Sequence, residues 1–452
     1  MTATHKIFKN AWICQREKRR IKPVFGDIYL SGEIVRRVIP KDFNAFSQSQ
    51  VDKSEQSMKN QWNMAGRVLT LPLINFHDHF YSRLAKGLPV TGPQHHFLQI
   101  LENLWWKLDQ ELDEDMIRAA VHLSALESVR NGVTTIFDHH ASPHATRGIL
   151  KIISDTVRLH GLRAVLCLET SDRHGIDRAK ESLLENRQFI ENDTDNQILG
   201  MLGLHAPFTL SDDTLITTAG MVKYLSTAIH IHLAEDKHEM EYSLKNFGLT
   251  ATERLDKFSL LTPKTILGHG IYLNQHDYQL IAQHHSAIAY NPDSNMNNAV
   301  GLPEYGRVPK EIPILPGTDG MHANVARSLK QLFLLQRHQG IAFTDAFQWM
   351  ERMYFDSYQF VSQLFPDFSS LQEGDRADFV LWDYVPPTPF REDNFWAHWI
   401  YGILEAPPHT VVQRGEVLLE ENKFVKVDPS DLYPEIYRQG ERLYTRFRKL
   451  GH

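Results

Sequence analysis

The sequence lacks the features that mark secreted, membrane-bound or nucleic-acid-binding proteins. Its 452 residues include only two cysteines, Cys14 and Cys167, so we expect no disulfide framework and predict a reducing, cytoplasmic location. No apolar run reaches the roughly 18–20 residues that cross a bilayer, and the N-terminal segment has no sustained apolar stretch of the kind found in secretory signals. The net charge of −7 gives no overall attraction to nucleic acid or to an anionic membrane.

A glycine-rich phosphate-binding loop is also missing. No apolar run is followed by the G-x-G-x-x-G pattern, which argues against a dinucleotide-binding sheet. From residue 72 onward the chain instead alternates between apolar strands and amphipathic helices. The helix predicted over residues 113–130, for example, has an apolar residue at every fourth position from Ile117 to Val129, and Asn131-Gly132 supplies its end.

Eight strand candidates separated by helical spacers predict an α/β protein with a closed (β/α)₈ barrel. Short strand-like segments at both ends of the chain could form one small sheet domain, and the last twenty residues predict an amphipathic helix. The eight barrel candidates are residues 72–77, 133–138, 163–168, 198–204, 228–232, 264–268, 286–290 and 312–317.

Polar, titratable residues follow nearly every one of these strands. Because the carboxyl ends of barrel strands form the active-site face, we expect these side chains to lie together. In a chain with 24 histidines, about one H-x-H triplet is expected by chance. The joint placement of polar, titratable residues at so many strand ends is not expected by chance. The strand-end residues are His77, Asp78, His79, Asp138, His139, His140, His205, His230, His232, His269, Asn291 and Asp319.

The spacing of these residues predicts a metal centre. Residues two apart on a strand face the same side, so His77 and His79 can both point into the barrel mouth. In "IHIH", His232 lies nearer the mouth and is the preferred third ligand, whereas His230 is expected to be a packed or hydrogen-bonded interior residue. Asp319 would supply an anionic ligand and accept a proton from the water that the metal activates. Neutral imidazoles suit Zn²⁺, and also Fe²⁺ or Mn²⁺.

Two further residues suit the chemistry of an activated water. Glu235 lies three residues beyond His232, within reach of a substrate, and is predicted to carry protons between water and the leaving group. His269 could hydrogen-bond the activated water and polarise the attacked carbon. Each residue alone has an ordinary structural explanation, such as a hydrogen-bonded strand cap, so the prediction rests on their joint placement.

With these residues assembled, the chain resembles the amidohydrolase superfamily, in the branch of cytosine deaminase, guanine deaminase and the triazine chlorohydrolases. The resemblance is carried by "INFHDHF", "HLAED", "LGHG" and "PGTDG", and "FDHHASP" and "GTDGMHANV" extend it to the aminohydrolases called SsnA. It implies one divalent metal per chain, most simply Zn²⁺, held by His77, His79, His232 and Asp319. Glu235, His269 and Asp319 would then be the catalytic residues.

The resemblance also implies a domain organisation. Residues 1–66 and 370–428 would form a composite β-sandwich domain, residues 67–369 the catalytic barrel, and residues 429–452 a C-terminal helix. We further expect a homo-oligomer, a dimer or larger.

Two positions depart from the pattern of this branch. Leu71-Pro72-Leu73 stands where the branch usually has Pro-Gly, which changes only a local turn. His205 stands on strand 4 in place of the lysine that bridges two metals in urease-like and dihydroorotase-like members, which argues against a binuclear centre.

The substrate pocket is predicted from fewer signals. His205 matches the branch's substrate-contacting histidine, and His140 and Arg173 lie where pocket walls should be. Arg173 could hold a substrate carbonyl or carboxylate, or form a surface salt bridge. Trp105 and Trp106 could stack on a flat heterocycle, although at least one of them is expected to be plain core.

The sequence thus predicts a metal-dependent aminohydrolase that uses activated water to hydrolyse a C–N bond of a purine-like or related nitrogen heterocycle, with release of ammonia. One alternative is ring-opening hydrolysis of a hydantoin- or dihydropyrimidine-like cyclic amide. The other is a barrel that has lost catalysis and serves as a scaffold, which the complete set of metal-ligand candidates disfavours.

Overall fold

Two nine-stranded sheets organise the protein, which a computed structural model describes over residues 5–49 and 60–450. The first five strands lie before the barrel and belong to the second sheet. They are β1 His5–Glu17, β2 Arg20–Ser31, β3 Ile34–Pro40, β4 Gln61–Asn63 and β5 Val68–Thr70.

Parallel strands then form the predicted barrel, with the hydrogen-bonded order β14-β13-β12-β11-β10-β8-β7-β6. Helices cover these strands, which are buried almost throughout, as the near-continuous apolar runs of the sequence indicate. The prediction of eight barrel strands is confirmed, with one run divided into two short strands by Met201. The barrel strands are β6 Leu73–Asp78, β7 Val133–His140, β8 Arg163–Thr170, β9 Ile198–Gly200, β10 Leu202–Leu204, β11 Ile229–Leu233, β12 Ile266–His269, β13 Ala287–Tyr290 and β14 Ile314–Pro316.

The barrel closes next to its first histidine. The backbone N–H groups of Thr318 and Asp319, just after β14, both donate to the carbonyl oxygen of His77 in β6, at 3.0 and 2.9 Å. This closure brings the first and last strands of the barrel together, and with them two predicted metal ligands that are separated by more than half the chain.

The last four strands return to the second sheet, whose order is β18-β17-β16-β15-β5-β1-β2-β3, with β4 paired to β1. Both ends of the chain therefore build one sheet beside the barrel, which confirms the predicted architecture. The domain limits at residues 66, 369 and 428 remain predictions. Residues 1–4, 50–59 and 451–452, which belong to the predicted end domain and C-terminal helix, lie outside the residues that the structure describes. The strands are β15 Phe379–Trp382, β16 Pro408–Gln413, β17 Glu416–Glu420 and β18 Lys423–Phe424.

Fifteen α-helices accompany these strands in the described residues. They are α1 Phe43–Ser49, α2 Phe97–Ile100, α3 Trp106–Glu111, α4 Glu114–Arg130, α5 Ile149–Leu159, α6 Ile176–Asn192, α7 Asp212–Leu225, α8 Lys237–Phe247, α9 Ala251–Lys257, α10 Gln275–Gln283, α11 Pro292–Asn297, α12 Val325–His338, α13 Phe343–Leu364, α14 Phe395–Tyr401 and α15 Pro429–Lys449. Among the described residues, none of the helices is both long and apolar enough to cross a bilayer.

The predicted C-terminal helix, α15, packs against α4. Its apolar face buries Leu443 and Phe447, and its basic face reaches the start of α4. Arg442 and Arg446 each place a guanidinium nitrogen 2.7 Å from a carboxylate oxygen of Asp113, whose other oxygen accepts a bond from a backbone N–H in the first turn of α4. One carboxylate thus caps one helix and anchors another.

Candidate metal centre

Four predicted metal ligands converge at the carboxyl ends of the barrel strands. His77 and His79 end β6, His232 lies near the end of β11, and Asp319 follows β14. Asp319 Oδ1 lies 2.8 Å from His79 Nε2 and 3.6 Å from His77 Nε2, and His79 Nε2 lies 3.3 Å from His232 Nε2. Three imidazole nitrogens and one carboxylate oxygen therefore face a common point, which is the donor set that Zn²⁺ accepts.

The second nitrogen of each ring is held in place by the protein. The Nδ1 atoms of His79 and His232 donate to the backbone carbonyl oxygens of His139 and His205, at 2.5 and 2.7 Å. Because a carbonyl can only accept, each ring keeps, in its neutral form, a lone pair on Nε2 that faces the centre. His77 Nδ1 bonds to His230 Nε2 at 2.8 Å, in agreement with the interior role predicted for His230.

The protonation states at the centre also fit a metal ion. Burial lowers the pKa of His77 to about 3 and that of His232 well below its usual range, so both rings are neutral ligands. Burial alone would raise the pKa of Asp319, but the adjacent imidazole rings of His77 and His79 hold it well below its usual range. His77 Nε2 and His269 Nε2 are buried without a hydrogen-bond partner, as expected where a cation takes the place of a donor.

The backbone is strained where the ligands are presented. Asp319 and His269 have φ angles of 53° and 73°, in the left-handed region that non-glycine residues rarely adopt. The glycine of "PGTDG" is required by close approach, because a Cβ at Gly317 would lie 2.1 Å from Asn291 Oδ1 and 2.9 Å from His77 Cβ. The motif therefore combines a close-packed glycine with a strained aspartate.

Glu235 and His269 lie beside this centre, as the sequence predicts. His269 Nε2 lies 3.5 Å from Glu235 Oε2 and 3.8 Å from Asp319 Oδ2, and its Nδ1 bonds to Asn295 Oδ1 at 2.9 Å. Ser294 donates to Asp319 Oδ2 at 2.5 Å. Burial and then the charge of Asp319 raise the pKa of Glu235 well above its usual range, which favours the protonated carboxyl group.

A cleft opens from the centre and is walled largely by aromatic and acidic side chains. It encloses about 640 Å³ of atom-free space including its open mouth. Its lining residues are His79, Tyr81, Phe97, Leu101, Trp105, Trp106, Asp109, Glu169, Arg173, His205, Ala206, Phe208, His232, Glu235, Glu239, Asn298, Asp319 and Gly320.

Comparison with known sequences decides the family. The model of the amidohydrolase family matches residues 68–418, which is most of the chain and includes every strand of the barrel. The chain belongs to the amidohydrolase family. This amidohydrolase is accordingly a metal-dependent hydrolase that acts on carbon–nitrogen bonds, and its His/Asp cluster fits a metal site.

Several curated relatives of this amidohydrolase are named 5′-deoxyadenosine deaminase. The protein of Methanococcus maripaludis strain C5 is 26% identical over 436 residues, which cover 94% of this chain and 97% of that protein. The protein of Methanothermobacter thermautotrophicus is 26% identical over 369 residues, which cover 79% and 83% of the two chains.

Solved structures show the same fold. Atrazine chlorohydrolase from Arthrobacter aurescens TC1, complexed with zinc, superimposes with a TM-score of 0.79 at 19% identity, over 96% of this chain and 99% of that one. An adenosine deaminase from Xanthomonas campestris with bound zinc gives a TM-score of 0.74 at 17% identity, over 97% and 98% of the two chains.

The structure brings most of the predicted substrate-binding residues of the amidohydrolase to the cleft. His205, Arg173 and Trp105 line it, and so does Trp106, which the sequence could not separate from core. His140 does not line it. Its buried ring bonds through Nε2 to Ser142 at 3.0 Å, so a substrate contact by His140 remains a prediction that the geometry does not support.

The other two residues of the "DHH" motif hold His79 in place. Asp138 Oδ1 accepts a hydrogen bond at 2.8 Å from the backbone N–H of Phe80, and His139 supplies the carbonyl oxygen that orients the His79 ring. Asp78, which faces away from the centre, accepts bonds from Arg83 at 2.5 Å and Asn75 at 3.0 Å.

Three acidic residues of the cleft, Asp109, Glu169 and Glu239, were missed by sequence reasoning. Glu169 lies on β8 one residue beyond the predicted end of that strand, because the barrel strand continues to Thr170. Asp109 lies in the helical segment after β6, where nothing in the sequence distinguishes it from a surface residue. A strand prediction that tolerated a polar final residue would have found Glu169.

Proposed function

We propose that this amidohydrolase is an aminohydrolase that removes an amino group, as ammonia, from a purine-like heterocycle. The proposal rests on one observation above all. Three imidazoles and one ionised carboxylate converge beside a glutamic acid, Glu235, whose pKa is raised well above its usual range, at the bottom of a cleft with aromatic walls. These are the groups needed to activate water and to protonate a ring nitrogen.

His77, His79, His232 and Asp319 would hold one divalent ion per chain, and Zn²⁺ is the ion that this mixed nitrogen and oxygen set fits most simply. When bound, the ion supplies Lewis acidity, which lowers the pKa of water towards neutrality. The unpartnered Nε2 of His77 supports this assignment, since a buried imidazole nitrogen without a partner is otherwise costly.

The chain's own residues then move the protons. The Asp319 carboxylate accepts a proton from the attacking water, while the Glu235 carboxylic acid gives its proton to the ring nitrogen next to the attacked carbon. The water oxygen bonds to that carbon, the bond from carbon to the exocyclic amine breaks, and the proton held by Asp319 leaves with the amine as ammonia. The remaining hydroxyl proton passes to the Glu235 carboxylate as the product carbonyl forms, which restores the Glu235 carboxylic acid. His269 lies close enough to both carboxyl groups to accept a hydrogen bond from the attacking water.

The substrate class follows from the cleft and from the relatives. Trp105, Trp106 and Phe208 offer apolar faces against which a flat ring can pack. The curated relatives named above are deaminases of 5′-deoxyadenosine, an adenine nucleoside, and we propose a substrate of that chemical kind. A cytoplasmic location and a homo-oligomeric state remain predictions.

An ammonia-release screen over purines, adenine nucleosides, pyrimidines, pterins and triazines tests the function. We expect release from at least one amino-purine compound, and elemental analysis should find about one Zn, Fe or Mn per chain. Ring opening without ammonia would instead establish the cyclic-amide alternative. A protein that contains no metal and takes up none on soaking would refute the proposed centre.

A further inference from the structure

The cleft wall formed by β8 and the helical segment after β6 carries a guanidinium that is already paired. Arg173 Nη2 lies 2.7 Å from Glu169 Oε1 and 3.4 Å from Asp109 Oδ2. Its Nε donates to Ser171 Oγ at 3.0 Å, and its guanidinium carbon lies 4.5 Å from the ring centroid of Trp106. The group is therefore fixed by two carboxyl groups, a hydroxyl and an aromatic face.

This wall has no net positive charge with which to meet an anion. Within the described residues, Arg173 supplies the one guanidinium or ammonium group among the cleft-lining side chains. Burial alone would raise the pKa of Glu169, but His205 and Arg173 lower it to about 2, so Glu169 is ionised and balances Arg173. Burial raises the pKa of Asp109 to about 8, so Asp109 adds little negative charge at neutral pH.

A substrate whose phosphate or carboxylate tail lies against this wall, away from the metal centre, would therefore lose its hydration without gaining a free cation. An anion buried in this way must either stay unpaired or pull Arg173 from Glu169, which would leave a buried carboxylate without a partner; both outcomes are costly. An uncharged tail meets neither cost. It can use the polar atoms that the wall presents as hydrogen-bond donors and acceptors.

We propose that the cleft selects uncharged heterocyclic substrates, such as a free base or a nucleoside, against their phosphorylated or carboxylated analogues, and that Glu169 enforces the selection by neutralising Arg173. This inference rests on the proposed function only in taking the cleft as the substrate site. It assigns Arg173 a positioning role in place of direct anion binding.

Binding of matched pairs to the metal-loaded protein tests the proposal without requiring turnover. The pairs are adenosine with adenosine 5′-monophosphate, and pterin with pterin-6-carboxylate, within a panel that also includes uncharged pyrimidines and triazines. Dissociation constants are measured by calorimetry or by quenching of the tryptophan fluorescence of Trp105 and Trp106. We expect the uncharged member of a pair to bind at least about 100-fold more tightly, because a buried charge without a partner is strongly unfavourable.

Three variants separate the role of Glu169 from a general effect of mutation. Glu169→Gln keeps the shape of the side chain and frees the charge of Arg173, so the preference should fall below about tenfold. The double variant Glu169→Gln/Arg173→Gln restores a neutral wall and should restore the preference. Glu181→Gln is the matched control, since Glu181 pairs with Arg178 at the same 2.7 Å on an exposed helix face, and its preference should equal that of the unmodified protein.

Each outcome decides the question. An anionic member that binds the unmodified protein as tightly as its uncharged partner overturns the proposal, and so does a panel in which no uncharged heterocycle binds. If Glu169→Gln does not fold, the matched pairs measured on the unmodified protein still test the preference for uncharged substrates. Ammonia release is recorded separately, so that selective binding without deamination would refute the proposed function and leave the selectivity standing.

Discussion

A buried ion pair between the barrel and the second sheet allows the effect of burial on a charge pair to be measured. Arg163, the first residue of β8, places Nη1 2.8 Å from Oδ2 of Asp378, next to β15, and neither side chain is exposed. On the surface of α5, Lys151 Nζ lies at the same 2.8 Å from Asp155 Oδ2, with both side chains more than half exposed. The two pairs share a distance and differ in burial.

The structure gives the size of the expected effect. Asp378→Asn removes the buried charge but keeps an oxygen for the backbone N–H of Arg414, which donates to Asp378 Oδ1 at 2.5 Å. Removing one partner of a fully buried pair costs about 3–5 kcal/mol. Because Arg163 retains a second carboxylate, Asp367, at 3.4 Å and 32% exposed, we expect a loss of about 2–4 kcal/mol in the free energy of unfolding.

Urea unfolding followed by circular dichroism at pH 7 measures this loss. Asp155→Asn is the control and should cost below about 0.5 kcal/mol, because solvent screens the exposed pair. The double variant Arg163→Met/Asp378→Leu should recover much of the stability, because the cost of burying both charges is removed with them. Equal losses for Asp378→Asn and Asp155→Asn would refute the reasoning from burial.

Three further predictions concern the site. Glu235→Gln should retain its metal while kcat falls about 10²–10⁴-fold, since an amide cannot donate the proton; unchanged kcat would exclude Glu235 as the proton carrier. Removing the metal with a chelator should abolish turnover and lower the thermal midpoint, and added Zn²⁺ should restore both, because a ligand that binds only the folded state stabilises it. Burial raises the pKa of Asp109 to about 8 in the folded protein. The unfolded chain therefore releases this proton at a lower pH than the folded protein does. The stability that the protonated Asp109 contributes is lost as the pH rises from about 4 to about 8. Asp109→Asn should flatten that part of the profile of unfolding free energy against pH, and an unchanged slope would contradict the assignment.

The barrel and the convergence of its candidate metal ligands could be predicted because each rests on a local signal. Buried parallel strands appear in the sequence as apolar runs, and the residue that ends such a run lies on the active-site face. That rule located His77, His232 and Asp319 without any knowledge of their contacts. It also placed His232 nearer the barrel mouth than His230, and His230 bonds to the far nitrogen of His77.

The wall of the cleft could not be predicted in the same way. Glu169 belongs to a strand that continues past its apolar run, and Asp109 lies sixty residues earlier, in a segment whose helix changes pitch. Residues Leu101–Trp105 form a π-helical turn, with the Trp106 N–H bonded to the Leu101 carbonyl, and such a turn has no recognisable periodicity. The carboxyl groups of Glu169 and Asp109 lie beside Arg173 only in the folded protein, where these two segments pack together.

The second sheet, which is built from both ends of the chain, has a consequence for folding during synthesis. β5 pairs on one side with β1 and on the other with β15, which is encoded about 300 residues later. At about 5–20 residues per second, the free edge of β5 waits roughly 15–60 s on the ribosome before its partner is synthesised. An open strand edge is a template for pairing with another chain. Expression yield, and its dependence on temperature and chaperones, should therefore respond to changes along β5 and β15 that leave turnover by the folded enzyme untouched.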